Sequence, residues 1–167
     1  MTIKIGEHLP EGKLSEFIDF ETEGCSLGPN TFNVSELVKG KTIAIFGLPG
    51  AYTPTCSAKH VPGYIEHAKA LKAKGVDEIW CISVNDAFVM GAWGRDQKAI
   101  GTVRMMADGN ADFSKAIGLS ADFSQFGMGT RSQRYSMLVK DGVVQQLNVE
   151  APGKFEVSNA ETMLGQL

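Results

Sequence analysis

Cys56 is the residue of this chain best placed to do chemistry. It follows a continuous apolar run, residues 42–46, closed by Gly47, and then a short turn through Pro49 and Gly50. The pattern that begins at about Thr55 is helical, so Cys56 falls in the first turn of a helix. There the backbone N–H groups lack intrahelical partners and the helix dipole has its positive end. Both favour a thiolate over a thiol, and the thiolate is the nucleophile. Thr53 stands three residues earlier, so its hydroxyl could reach the sulfur or an oxygen of a substrate. Pro49 and Pro54 stiffen the approach and could shield the thiol from bulk water. As a residue type, a free cysteine is most often a small buried hydrophobe. The position at a helix start, after Pro-Gly-Ala-Tyr-Thr-Pro-Thr, argues for chemistry instead.

The other candidates read differently. Cys81 lies inside an apolar strand, residues 78–83, where an inert buried thiol is expected. Cys25 sits in a Gly/Ser/Pro loop, either as a bystander or as a partner that resolves an oxidised Cys56. No CxxC pair is present, and His8, His60 and His67 do not fall beside a second cysteine at zinc spacing, so no metal site is expected. His60, one helical turn after Cys56, either tunes the thiolate or serves helix packing. Phe126, with Leu119 and Phe123 nearby, lines an apolar pocket mouth or packs a loop. Trp93 and Phe88 are expected in the core. Gly47 and Gly50 are turn glycines, too weak a signal for a nucleotide-binding loop.

The elements that must position Cys56 can be traced along the chain. Leu14, Phe17, Ile18 and Phe20 predict a first strand, and residues 24–30 a loop. Asn33 is the expected cap of a short helix through Val34, Leu37 and Val38 that ends at Gly40. Residues 42–46 read as a strand buried on both faces. A long helix follows from about Thr55 to Lys74, kinked at Pro62 and stopped at Gly75. Residues 78–83 form a second buried strand, and Asn85-Asp86 cap the next helix, through Phe88, Trp93 and Gln97. Residues 103–107 are a third strand, 113–117 a short helix and 118–129 a loop. Residues 135–139 and 143–149 form a hairpin on Asp141-Gly142, a type I′ turn signal. Ser158-x-x-Glu161 reads as a capping box opening a last helix. Alternation first and an antiparallel tail after it predict an α/β fold with a mixed sheet. No repeat or linker interrupts the chain, so residues 1–167 are expected to form one domain.

Composition narrows the function classes. The 167 residues carry 16 Lys+Arg against 19 Asp+Glu, a net charge of -3. That excludes a broad electrostatic case for nucleic acid or for an anionic membrane surface. Three cysteines, an odd number, do not make a secreted disulfide framework and predict a reducing, cytoplasmic-type compartment. Residues 1–10 hold Lys4, Glu7 and His8 and no apolar core, so no signal peptide is expected. No stretch approaches 18 apolar residues, so no membrane span is expected either.

The segment Pro49-Gly-Ala-Tyr-Thr53-Pro-Thr-Cys56 resembles the PxxxTxxC signature of the peroxiredoxins. The longer string, residues 46–64, is similar to their atypical, peroxiredoxin-five-like subgroup. The likeness continues through Ser83-Val-Asn-Asp-Ala-Phe88, Trp93-Gly-Arg95, Arg134-Tyr-Ser-Met137 and Asp141-Gly142, nearly the whole chain. It implies a thioredoxin fold with an N-terminal extension, and a thiol peroxidase acting on hydrogen peroxide and organic hydroperoxides. By that resemblance Cys56 is the peroxidatic nucleophile and Thr53 holds the peroxide. The N–H groups of Thr55 and Cys56 meet the developing charge, and Pro49 closes the pocket wall. The family's distant arginine matches Arg134, whose guanidinium supports the thiolate. Arg131, three residues upstream, is expected to be a surface charge. No metal or organic cofactor is required. The resemblance also implies a homodimer.

The chain departs from the subgroup at one point. The loop before the last helix, where the subgroup keeps a resolving cysteine, reads Gly153-Lys-Phe-Glu-Val157-Ser-Asn. This implies a one-cysteine enzyme whose sulfenic acid waits for an external thiol, glutathione or glutaredoxin ahead of thioredoxin. Two other function classes stay open: a redox sensor signalling through oxidised Cys56, and a chaperone-like assembly, for which the C-terminal extension is missing.

Overall fold

The computed structural model describes residues 1–19 and 24–167. The strands are β1 (Lys13–Ile18), β2 (Gly28–Asn33), β3 (Thr42–Leu48), β4 (Glu78–Ser83), β5 (Arg104–Ala107), β6 (Ser120–Asp122), β7 (Thr130–Ser132), β8 (Tyr135–Lys140) and β9 (Val143–Val149). The helices are α1 (Val34–Leu37), α2 (Val61–Glu66), α3 (Ala68–Ala73), α4 (Ala87–Asp96), α5 (Asp112–Ala116) and α6 (Ala160–Gly165). Seven strands form one sheet in the order β2-β1-β5-β4-β3-β8-β9. The three central strands β5, β4 and β3 run parallel, and β1 and β8 pair antiparallel on either side of them. This mixed sheet with helices on both faces is the thioredoxin fold expected from the sequence.

β3 shows why the sheet sits at the centre. Ala44, Phe46 and Leu48 point into one apolar cluster, together with Cys56, Tyr64, Leu71, Trp93 and Met163. Ile43 and Ile45 point into another, with Val34, Phe113, Ile117, Tyr135 and Met137. Successive side chains of a strand alternate between faces, so a run without polar residues must be covered on both. Helices α2, α3, α4 and α6 cover the Cys56 face, and α1 and α5 the other.

The long helix expected over 55–74 is broken into parts. The helical backbone begins at Pro54 and runs through a π-helical turn, Cys56–His60, into α2. The Val61 N–H bonds the Cys56 carbonyl, one residue farther back than in an α-helix. Pro62, which has no N–H to give, therefore falls in the first turn of α2, where its absence costs little. The second break is at His67, not at Pro62.

The hairpin of β8 and β9 turns on Asp141 (φ 47°) and Gly142 (φ 79°), both in the left-handed region that a type I′ turn requires. Asp86 caps α4, its carboxylate accepting from the Val89 N–H. Four expectations need correction. Residues 28–33, read partly as a loop, form β2, which pairs with β1. Residues 118–129 are not all loop, because β6 pairs with β7. The cap of α6 is Asn159, whose side chain accepts from Thr162 N–H, one residue later than the capping box read at Ser158. Phe88 is exposed, not core, whereas Trp93 is fully buried. Asn33 stands at the N-cap of α1 but makes no side-chain cap bond. Phe20, expected in the first strand, lies outside the described residues.

Candidate active site

β3 ends at Leu48 and β8 begins at Tyr135, and the two are antiparallel neighbours with Gly47 opposite Tyr135. The exit of one strand and the entrance of the other therefore lie at the same end of the sheet. Cys56 follows the first and Arg134 precedes the second, so the topology alone brings together residues far apart in the chain. Gly47 permits the approach: a Cβ there would overlap the Tyr135 ring.

Cys56 is fully buried in the first turn of the helix. The Ser57 N–H bonds the Thr53 carbonyl at 3.0 Å, and the N–H groups of Thr55 and Cys56 belong to the unpartnered first turn. Arg134 Nη2 donates to Cys56 Sγ across 3.2 Å. Arg134 Nη1 lies 2.9 Å from His60 Nδ1. His60 Nε2 lies 3.1 Å from the Ser158 carbonyl oxygen. A guanidinium only donates and a carbonyl only accepts, so the ring is neutral with its proton on Nε2. Burial, and then the Arg134 charge, push the His60 pKa down to about 3.

The Ser158 carbonyl is held in turn. The Glu150 carboxylate accepts from the Ser158 hydroxyl and from the N–H groups of Glu156, Val157 and Ser158, at 2.7–3.0 Å. Burial opposes ionisation of Glu150, but these donors outweigh it and hold the carboxyl below its usual range. Glu150 N–H also donates to the Arg134 carbonyl, at 2.9 Å. Phe155, on the loop that Glu150 gathers, lies under the Arg134 guanidinium at 5.8 Å and edge-on to His60 at 5.0 Å.

A cavity of about 390 Å³ opens beside these groups. Pro49, Thr55, Phe123, Arg134 and Phe155 line it, with Pro152 and Lys154 at the loop side. Phe126 is exposed and packs on Phe123 without lining the cavity. Thr53 Oγ1 donates to the Gly50 carbonyl at 2.7 Å, which fixes the hydroxyl proton and leaves the oxygen lone pairs free to accept. Arg131 is not a solvated surface charge. It is partly buried, donates to the carbonyls of Met128 (2.9 Å) and Val84 (3.2 Å), and packs against Gly50.

The three cysteines are all free. Cys81 is fully buried in β4, and burial, with the neighbouring Cys56 charge adding, pushes its thiol pKa well up. Cys25 borders a separate cavity with Asp77, Glu78 and Thr102, at the starting ends of β4 and β5. That is the opposite end of the sheet from Cys56.

Sequence reasoning brought out Cys56, Thr53, Pro49 and Arg134. It left His60 between two roles and passed over Glu150. The one sequence signal for Glu150 is a carboxylate directly before an Ala-Pro-Gly turn, which also describes many solvated loops.

Comparison with known proteins gives the family. The family model described as Redoxin matches residues 4–164. Peroxiredoxin-2B of Arabidopsis thaliana is 46% identical over 165 residues, covering 99% of this chain and 98% of that one. The hybrid peroxiredoxin hyPrx5 of Haemophilus influenzae is 48% identical over 136 residues, 80% of this chain and 56% of that one. The crystal structure of reduced Prx3 from Vibrio vulnificus, in complex with hydrogen peroxide, superposes with a TM-score of 0.90 at 52% identity, covering 99% of each chain. A helix-start cysteine under an arginine, on a thioredoxin fold with these relatives, places the chain in the Redoxin family as a thiol peroxidase, a peroxiredoxin of the atypical, peroxiredoxin-five type.

Proposed function

We propose that Cys56 is the peroxidatic nucleophile, and one observation carries the reading: Arg134 donates to its sulfur across 3.2 Å. A positive N–H donor at that distance stabilises a sulfur that bears negative charge. The thiolate attacks the terminal oxygen of HO–OR. An S–O bond forms, the O–O bond breaks, and RO⁻ leaves and takes a proton from water. Cys56 is left as a sulfenic acid. Charge on the departing oxygen must be met by fixed donors. Arg134 and the N–H groups of Thr55 and Cys56 fill that role, and Thr53 Oγ1 accepts from the peroxide hydroxyl. Pro49 forms the wall. Hydrogen peroxide and alkyl hydroperoxides are the substrates; Phe123, Phe155 and Pro152 suit an alkyl chain.

The reductant is an external thiol, glutathione directly or through glutaredoxin, ahead of thioredoxin. It condenses with the sulfenic acid to a mixed disulfide and water, and a second thiol frees Cys56. Two placements support this one-cysteine route. Cys81 is sealed in β4. Cys25 sits beyond the far end of the same strand, roughly 17–20 Å of strand away, whereas a disulfide needs Cα atoms within about 7 Å. No cysteine stands in the loop 150–158.

The test is the intact mass of reduced protein after one equivalent of hydrogen peroxide without thiol, with peptide mapping. Gain of one oxygen at Cys56 is expected, and Cys56→Ser should be inert. Peroxide turnover by Cys56→Ser would overturn the nucleophile. Loss of two hydrogens in a Cys56 crosslink would overturn the external reductant.

The chain works as a homodimer in this reading, since Tyr52 and Phe126 expose aromatic surface on the loops flanking the site; light scattering tests it. Three free thiols suit a reducing, cytoplasmic compartment, which fractionation of the source cells tests. Among the described residues no helix is long and apolar enough to cross a membrane.

A further inference from the structure

We infer that His60 is the positioning residue for Arg134: a neutral acceptor that aims the guanidinium at Cys56 without cancelling its charge. The inference rests on the roles of Cys56 and Arg134 given above.

An arginine side chain has many rotamers, and one bond to a sulfur does not hold it. The guanidinium is planar and rigid, so fixing one terminal nitrogen sets the direction of the other. Among the described residues its hydrogen bonds go to two side chains only, His60 Nδ1 at 2.9 Å and Cys56 Sγ at 3.2 Å. Phe155 covers its face and adds no direction in the plane. His60 is therefore the anchor.

The chemistry of the anchor matters as much as its place. A carboxylate would hold the arginine more strongly, but it would offset the positive charge that the sulfur needs. A neutral imidazole holds it and leaves the charge in place. His60 can be nothing else here. Its Nε2–H is committed to the Ser158 carbonyl, so Nδ1 must present a lone pair. The Ser158 carbonyl also accepts from the Tyr64 hydroxyl at 2.9 Å, and its segment is pinned by Glu150. The ring is wedged between Phe46, Tyr64 and Phe155. The π-helical turn carries His60 on the same short segment as Cys56, so one local conformation sets both ends of the arginine's grip.

The test compares His60→Phe, which keeps an aromatic ring without an acceptor, with His60→Gln, which keeps both an acceptor and a donor. The readouts are the rate of Cys56 oxidation by hydrogen peroxide and the pH profile of the Cys56 thiolate absorbance. The Phe variant should be slower by roughly 10- to 100-fold, the cost of misplacing a catalytic group by about 1 Å, with its thiolate appearing at higher pH. The Gln variant should recover most of both. A folded Phe variant with an unchanged rate and profile would overturn the inference, as would Gln being as slow as Phe. Nitrogen NMR of the unsubstituted, reduced protein decides without any variant: the His60 ring must be the neutral Nε2–H form. A proton on Nδ1 would also overturn it. Arg134→Ala is measured alongside. If it is slow and His60→Phe is not, only the present inference fails. If it oxidises at the unsubstituted rate, the role of Arg134 fails first.

Discussion

Gly47 of β3 and Tyr135 of β8 face each other across the sheet with no room for a methyl group between them. Arg134 immediately precedes Tyr135 in the chain, so this contact sets how near β8 brings the guanidinium to Cys56. Gly47→Ala should force the ring or the strand aside. Overpacking of this kind costs about 1–3 kcal/mol. Urea denaturation should show that loss, and peroxide reactivity should fall with it. A variant with unchanged stability would show that the strands slide past each other freely.

Arg134→Ala should slow peroxide reduction by roughly 10²–10³-fold, the usual cost of removing one donor to a developing anion. Arg134→Lys should recover only part. An ammonium has the charge but not the fork that spans Cys56 and His60. Stopped-flow oxidation of the two variants checks the order.

Stability should fall in acid, and His60 gives the sign. Its folded pKa, about 3, lies below the ordinary value of 6.5. Above 6.5 both states are neutral at this residue and full stability is present. As pH falls from 6.5 toward 3, the unfolded chain takes up a proton that the folded one refuses. The loss approaches about 1.4 kcal/mol per pH unit, several kcal/mol over that window. Glu150, held below its ordinary value, adds a loss in the same direction below about 4.5. Urea midpoints at pH 7, 6, 5 and 4 should decline steadily, and His60→Gln should flatten the upper part of the slope.

Glu150→Gln should loosen the loop at residues 156–158. Hydrogen bonds to a charged acceptor are worth about 1.5–3 kcal/mol, and the neutral amide keeps fewer of them. Amide hydrogen exchange at Glu156, Val157 and Ser158 should speed up while that of β3 and β4 does not. Exchange rising equally everywhere would mean global destabilisation instead.

Cys25→Ser should leave the first oxidation of Cys56 unchanged within about twofold and should not change the mass gained on oxidation, one oxygen, because Cys25 lines a cavity at the other end of the sheet. A variant that gains one oxygen where the unsubstituted protein loses two hydrogens would make Cys25 the resolver.

Much of this was legible in the sequence. The apolar runs at 42–46 and 78–83 read as strands buried on both faces, and Asp141-Gly142 names its own turn. What escaped detection depends on which partner each residue meets in the fold. β6 and β7 have three residues each and pair only with each other, too short for a periodic pattern. Phe88 looks like core because its type is apolar, yet it faces outward on α4. Ser158 was read as a helix cap, but its hydroxyl is claimed by Glu150, and Asn159 takes the cap. Arg131 and Arg134 differ by three residues and no spacing rule separates them. Only the sheet register shows that one clamps a loop and the other reaches the sulfur.

The pairing of Cys56 with Arg134 spans 78 positions of the chain. During synthesis the cysteine emerges from the ribosome first, and at about 5–20 residues per second the arginine trails it by roughly 4–16 s. Throughout that interval the helix start can form, but β8 is not there to dock on β3. Until then the thiol lacks the Arg134 donor proposed to support it. On the proposed role of Arg134, full reactivity arrives only with β8, so speed toward peroxide doubles as a readout of completed folding.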